Sequence, residues 1–134
     1  MLDQNRDTSS HADYEPIIFV LDDDDAVRGS LELLLRTEGY CAKTFESVAK
    51  FLEGFAEAYR APDCVILDVH LPDGDGRALG AHLAAERPGL PVILMSGRMS
   101  AEAVKNTAAG IFAFLDKPLS HSDLFEIIAR AIAT

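Results

Sequence analysis

The sequence predicts an α/β fold, a doubly wound domain in which helices cover both faces of a parallel sheet. Five short apolar runs alternate along the chain with segments whose apolar residues recur at helical spacing. One run, Cys64-Val65-Ile66-Leu67, contains no polar residue, which is typical of a strand buried on both faces of a parallel sheet. Strands that alternate with helices through short loops form such sheets by right-handed crossovers. We therefore predict five strands and five helices.

The length and composition fit one soluble domain and exclude some partners. The chain has 134 residues, and its 22 acidic and 12 basic residues give a net charge of −10. This charge argues against direct binding to nucleic acid or to an anionic membrane, and it suits a protein that holds a cation. No stretch approaches the roughly 20 apolar residues of a membrane span, and the N-terminus lacks a secretory apolar region. Cys41 and Cys64 lie in apolar runs, so we expect free thiols and a cytoplasmic location.

The first part of the chain is polar and is followed by the first strand. Residues 1–15 offer little to bury, so we expect a flexible tail there and a folded domain over residues 16–134. Ile17–Leu21 is the first predicted strand, and four aspartates follow it, Asp22 to Asp25. The next apolar residues have the i, i+4, i+7 spacing of a helix, which is expected to end at Gly39.

The remaining elements follow from the same patterns. Four further apolar runs predict strands, at Tyr40–Phe45, Cys64–Leu67, Pro91–Met95 and Ile111–Leu115. Residues suited to capping or starting helices precede four further helices, at Ser47, Arg77, Ser100 and Ser120. Between the third strand and the third helix, Leu71-Pro72-Asp73-Gly74 has the residues of a type I turn.

Polar side chains lie at the carboxyl ends of four of the predicted strands. They are Asp22 with Asp23, then Asp68, Ser96 and Lys117, and parallel strands bring them to one edge of the sheet. Carboxylates at one edge repel one another unless a cation joins them, and hard oxygen ligands suit Mg²⁺. A lysine and a serine beside the metal would contact a phosphoryl group, and a carboxylate can be the nucleophile that accepts it. Asp68 is central and stands alone, although an aspartate here could also simply cap a loop.

Four motifs together resemble the receiver domain of two-component response regulators over about residues 17–134. They are Val20–Asp25, Leu67–Gly76, Met95-Ser96-Gly97 and Asp116-Lys117-Pro118. The resemblance implies a flavodoxin-like strand order, 2-1-3-4-5, with Asp68 as the phosphoacceptor. It implies that Mg²⁺ is held by Asp22, Asp23, Asp68 and the backbone carbonyl of His70. It further implies that Ser96 hydrogen-bonds the phosphoryl group, that Lys117 pairs with it, that Phe114 is a switch aromatic, and that the Lys117–Pro118 bond is cis.

The function implied by the resemblance is signalling rather than metabolism. A sensor histidine kinase or a phosphotransfer protein would supply the phosphoryl group to Asp68, small phosphodonors would also do so with Mg²⁺, and the acyl phosphate would hydrolyse slowly. The switch would alter the surface of the fourth helix, fifth strand and fifth helix, which would bind a protein effector or a second copy. No basic helix-turn-helix follows in the sequence, so both a single-domain receiver and the receiver of a longer regulator remain open.

Several of these residues have a simpler interpretation, and one other class of protein fits part of the pattern. Asp24 and Asp25 suit the start of a helix, the side chain of His70 suits a solvated loop, and Phe114 suits the core. A haloacid-dehalogenase-like phosphatase would use Asp22 and Asp24 as a D-x-D pair at a strand end. That alternative gives Asp68 no role, and no acidic metal motif follows Lys117.

Overall fold

The structure is a computed structural model that describes residues 15–97 and 110–133. A five-stranded sheet, parallel throughout, runs through it in the order β2-β1-β3-β4-β5, so the predicted fold class and strand order are confirmed. The strands are β1 (Ile17–Leu21), β2 (Cys41–Phe45), β3 (Cys64–Asp68), β4 (Val92–Ser96) and β5 (Ile111–Asp116). The helices within the described residues are α1 (Asp25–Thr37), α2 (Val48–Glu57), α3 (Gly76–Glu86) and α4 (His121–Ala133).

Two sequence predictions fall on residues that the structure does not describe. The predicted fourth helix begins at Ser100, and residues 98–109 lie outside the described ranges. The expected N-terminal tail occupies residues 1–15, of which only Glu15 is described. The fifth predicted helix is described and is α4 here, whereas Thr134, the residue after it, lies outside the described ranges.

The sheet separates two apolar clusters because side chains alternate between its faces. One cluster contains Ile18, Val20 and Ile66 of the strands and is covered by α1 and α4. The other contains Phe19 and Leu67 and is covered by α2 and α3. All five residues of β3 are buried, as the uninterrupted apolar run predicts. The strand that carries Asp68 is therefore enclosed along its whole length, and Asp68 itself is buried.

Short polar side chains start the helices, largely as predicted. Asp24 caps α1 by accepting hydrogen bonds from the backbone N–H groups of Ala26 and Val27 at 2.8 and 3.1 Å. Ser47 caps α2 through Lys50 N, and Asp75 caps α3 through Arg77 N. These caps satisfy backbone donors that have no partner within the helix, and they fix where each helix leaves the sheet edge.

The predicted turn after β3 closes a small antiparallel hairpin that the sequence did not predict. His70–Leu71 pairs with Gly74–Asp75, and Pro72 and Asp73 form the turn between them. The hairpin leads directly into α3, which begins at Gly76. Gly76 N donates to Val69 O at 2.8 Å, and this hydrogen bond closes the base of the hairpin. This segment therefore stands at the edge of the sheet beside Asp68.

Two further predictions concern the cysteines and the absence of membrane spans. Cys41 is half-buried and Cys64 is buried, and both are free thiols, as predicted. In the described ranges, no helix combines the length and the apolar character needed to cross a membrane.

Candidate functional site

Three carboxylates meet at the carboxyl edge of the sheet. Asp22 follows β1, Asp23 is its neighbour, and Asp68 ends β3, which lies beside β1. One oxygen of each carboxylate lies within 4.8 Å of the others. Asp22 is fully buried and Asp68 is 5% exposed, whereas Asp23 is exposed. The cluster thus has two enclosed carboxylates and one that opens to solvent.

Lys117 joins the two buried carboxylates. Its Nζ donates to Asp22 Oδ2 at 2.7 Å and to Asp68 Oδ2 at 3.1 Å. The lysine follows β5, and its backbone N donates to Ser96 O at 3.0 Å, which ties it to the end of β4. The Lys117–Pro118 peptide bond is cis, as the family resemblance implied.

The second oxygen of each buried carboxylate is held by the backbone. Asp22 Oδ1 accepts from Asp24 N at 2.8 Å, and Asp68 Oδ1 accepts from His70 N at 3.1 Å. Each carboxylate therefore has one backbone donor and one ammonium donor, which fixes its orientation. Such pairing is what makes a buried charge tolerable in a protein.

The electrostatic balance of the site is visible in two pKa shifts. Burial raises the pKa of Asp68 above its ordinary value, and the hydrogen bonds from His70 and Lys117 oppose that rise only in part. Burial alone would lower the pKa of Lys117, but its hydrogen bonds to Asp22 and Asp68 raise the pKa above its ordinary value. Lys117 is therefore a firm cation, and Asp68 is a more basic carboxylate than one in water.

The donor set fits a hard divalent cation. Three carboxylates surround the site, and among the described residues Lys117 is the ammonium group that contacts two of them. Negative charge therefore remains in excess, which a divalent cation would neutralise. Carboxylate oxygens with an opening to water suit Mg²⁺, which retains several waters. The exposed position of Asp23 provides that opening.

The other predicted site residues lie around this cluster. Ser96 is buried at the end of β4 and is paired in register with Asp116. Phe114 is half-buried on β5 opposite Leu94, so it lies on the same face of the sheet as Ser96, two positions back. His70 is exposed in the hairpin, and its backbone N–H is the group that contacts Asp68.

The sequence analysis missed two residues that support the site. Arg28 donates from Nη1 to the backbone carbonyl of Asp22 at 2.7 Å and also pairs with Asp25. Its position one turn into α1, after four aspartates, was a signal for this contact. Gly76 packs so closely that a Cβ atom built on it would lie 1.9 Å from Asp68 O. A glycine eight residues after the site aspartate gave no such signal on its own.

An apolar groove of about 520 Å³ borders the site on the side of α1. Lys117, Pro118 and Leu119, which follow β5 in the chain, line it. Ala26 and Ser30 of α1 also line it. The groove therefore shares Lys117, whose Nζ contacts Asp68, with the carboxylate cluster.

Comparison with known proteins assigns this arrangement to a family. The family model of the response regulator receiver domain matches residues 18–129. The DNA-binding transcriptional regulator NtrC of Escherichia coli K12 is 35% identical over 118 residues, which cover 87% of this chain and 25% of NtrC. The chain thus spans about a quarter of that relative's length.

Two solved structures are similar over most of both chains. A CheY-like response regulator receiver domain protein from Methanospirillum hungatei JF-1 has a TM-score of 0.79 and 28% identity, covering 89% of this chain and 94% of that one. The beryllofluoride-activated NtrC4 receiver domain dimer has a TM-score of 0.76 and 28% identity, covering 87% and 96%.

The phosphatase alternative is not supported. The family model and these relatives are receivers or response regulators. The geometry agrees, because Asp24, the second aspartate of the D-x-D pair, uses its carboxylate to cap α1. Asp68, to which that alternative gave no role, lies in the carboxylate cluster and contacts Lys117. The chain therefore belongs to the response regulator receiver domain family.

Proposed function

We propose that Asp68 accepts a phosphoryl group from the phosphohistidine of a sensor histidine kinase or phosphotransfer protein. The observation that carries this proposal is the position of Asp68, a buried carboxylate at the end of the central strand, held by His70 N and Lys117 Nζ. An Asp68 oxygen would form a bond to phosphorus as the phosphorus–nitrogen bond breaks, and the electron pair would return to the donor imidazole.

Lys117 and Ser96 would act on the transferred group. In the unphosphorylated site Lys117 already contacts Asp68 Oδ2, so its ammonium group is in place to neutralise phosphoryl oxygens. Ser96 ends the neighbouring strand, and its hydroxyl would donate a hydrogen bond to the phosphoryl group. Phosphoryl transfer needs mainly such positioning and charge neutralisation.

Mg²⁺ would be held by Asp22, Asp23 and Asp68, together with the backbone carbonyl of His70. The support for this assignment is the clustering of the three carboxylates and their excess negative charge. When bound, the ion supplies charge neutralisation for the phosphoryl oxygens. The chain's own contribution is to hold the carboxylates in place before the ion binds, through Lys117 and the backbone N–H groups of Asp24 and His70.

Two surfaces would contact protein partners. The groove beside Lys117 would admit the donor protein, because it is apolar and is lined by the lysine that contacts Asp68. The output surface would comprise β5, α4 (the fifth predicted helix) and the fourth predicted helix, which begins at Ser100 and lies outside the described residues. Ser96 and Phe114 would be its switch pair. Its support is the row of half-buried apolar residues on edge strand β5, together with the receiver dimer among the similar structures.

In the whole protein, phosphorylation would control a further output besides the binding of a protein effector or a second copy of the chain. NtrC is a DNA-binding transcriptional regulator, and this chain corresponds to a quarter of it. We therefore place the receiver in a cytoplasmic regulator whose DNA contacts lie in other segments. The expectation of no direct nucleic-acid contact then applies to these 134 residues with their net charge of −10, and not to the whole protein.

The test is phosphorylation by acetyl phosphate with Mg²⁺. The wild type should gain one phosphoryl group by intact mass, labile to hydroxylamine, and Asp68→Asn should gain none. Asp75→Asn is the matched control, because asparagine preserves the α3 cap that Asp75 provides. Labelling that survives in Asp68→Asn but disappears in Asp22→Asn would contradict the proposal, as would turnover of a free phosphomonoester.

A further inference from the structure

The hairpin after β3 is too small to hold itself in place. Its two strands have two residues each, and isolated hairpins of any size are marginal in water. His70 belongs to this hairpin, and its backbone N–H contacts Asp68 Oδ1. Whatever fixes the hairpin therefore also fixes the backbone at the mouth of the carboxylate cluster.

The hairpin turn is attached to α2 by the carboxylate of Asp73. Asp73 Oδ1 accepts from Val48 N at 2.9 Å, and Asp73 Oδ2 accepts from Ala49 N at 3.1 Å. These are the first two backbone N–H groups of α2, where the partial positive charge of the helix favours an anion. Asp73 thus links the loop of the site to a helix that begins 25 residues earlier in the chain.

Packing at the same point is tight, which independently shows that the hairpin is seated on α2. A Cβ atom built on Gly74 would lie 2.9 Å from Val48 Cγ2. Leu71 and Val48 also pack against the same buried cluster of the core. The hairpin is therefore pressed against the first turn of α2 as well as hydrogen-bonded to it.

We propose that Asp73 is a positioning residue for the phosphorylation site: by anchoring the hairpin to α2, it holds the His70 backbone where the carboxylate cluster takes its cation. The inference rests on the proposed function of Asp68 and its Mg²⁺ ligands. Side chains that orient the ligands of a metal change its affinity without contacting it. Removal of the anchor should therefore weaken Mg²⁺ binding and slow the loading of Asp68.

The chain offers a matched control for this role. Ser47 Oγ caps the same end of α2 by accepting from Lys50 N at 3.2 Å. Ser47→Ala and Asp73→Ala should both lower the melting temperature of the metal-free protein, since each leaves donors of one helix uncapped. Only Asp73→Ala should raise the Mg²⁺ dissociation constant measured by calorimetry, by about tenfold. Asp73→Asn, which retains one acceptor oxygen, should fall between Asp73→Ala and the wild type.

Amide hydrogen exchange of the metal-free protein tests the anchor without the metal. Exchange across residues 70–75 should quicken in Asp73→Ala and remain as in the wild type in Ser47→Ala. Equal Mg²⁺ affinities for the two alanine variants, or unchanged exchange of the hairpin in Asp73→Ala, would overturn the inference. A wild type that takes up no phosphoryl group would overturn the proposed function, and the exchange comparison would still decide whether Asp73 anchors the hairpin.

Discussion

Lys117 Nζ lies 2.7 Å from Asp22 Oδ2, closer than its 3.1 Å from Asp68 Oδ2. This contact joins residues 95 positions apart and reaches from the end of β5 to the end of β1, two strands that are not neighbours in the sheet. Asp22 is fully buried, and that ammonium group lies beside its carboxylate as a counter-charge. The lysine is therefore a structural cation, in addition to the phosphate-binding role that we propose for it.

The first prediction follows from this dual role. Lys117→Met should lower the free energy of unfolding of the metal-free protein at neutral pH by about 3 kcal/mol, because it leaves two buried carboxylates without their cation. Urea unfolding measures the change. Lys50→Met, at an exposed position of α2, is the control and should change stability little. Saturating Mg²⁺ should restore part of the loss, and a Lys117→Met protein as stable as the wild type would contradict the ion pair.

The second prediction concerns the carboxylate cluster itself. Mg²⁺ should raise the melting temperature, because a ligand of the folded state stabilises it by about 2.7 kcal/mol at 100 times its dissociation constant. Asp23→Asn should remove most of this effect, because the exposed Asp23 carboxylate completes the cluster. Asp25→Asn removes an acidic group outside the cluster and should preserve the effect. A melting temperature indifferent to Mg²⁺ at low ionic strength would count against the metal site.

The features that the sequence predicted well are those governed by local pattern. The apolar run before Asp68 indicated a strand, and the direction of parallel strands then brought Asp22, Asp68, Ser96 and Lys117 to one edge. The helix caps at Asp24 and Ser47 were equally local and were correctly anticipated as helix-start residues. Local patterns therefore predicted both the fold and the edge of the sheet at which the carboxylate cluster lies.

The features that the sequence did not predict depend on contacts between distant segments. Asp73 caps a helix that begins 25 residues before it, by accepting from the backbone N–H groups of Val48 and Ala49. An aspartate in this turn does not signal its partner, because many turns contain aspartate. Such contacts become visible only once α2 and the hairpin are seated on the same face of the sheet.

A third prediction uses the titration of Asp73. Hydrogen bonds from Val48 N and then Ala49 N hold its pKa below the ordinary value. A carboxylate whose folded-state pKa is depressed stabilises the fold above its unfolded pKa, about 3.9, and that stabilisation is lost as the pH falls through the folded-state value. The difference in unfolding free energy between wild type and Asp73→Ala should therefore be constant near neutral pH and shrink in acid.

Ser47→Ala provides the comparison for this titration, measured by urea unfolding from pH 7 to pH 3. Its hydroxyl caps the same helix but does not ionise, so its stability difference from the wild type should not depend on pH in this range. A gap between wild type and Asp73→Ala that widens in acid would mean that the carboxylate is not the group that α2 stabilises.

The last prediction uses Cys64 as a probe of the strand that carries Asp68. Burial, with a smaller effect of the Asp63 charge, raises the pKa of the Cys64 thiol to about 12. Alkylation requires the thiolate, so iodoacetamide near pH 8 should modify the half-buried Cys41 first and Cys64 only when β3 opens. Peptide mass spectrometry follows each site, with Cys41→Ser and Cys64→Ser to assign the two phases.

Because Cys64 and Asp68 are the two ends of β3, Mg²⁺ should slow the Cys64 phase by the factor by which it lowers the open population. Cys64 modified as fast as Cys41 in the native protein, or unaffected by Mg²⁺ that demonstrably binds, would contradict this coupling.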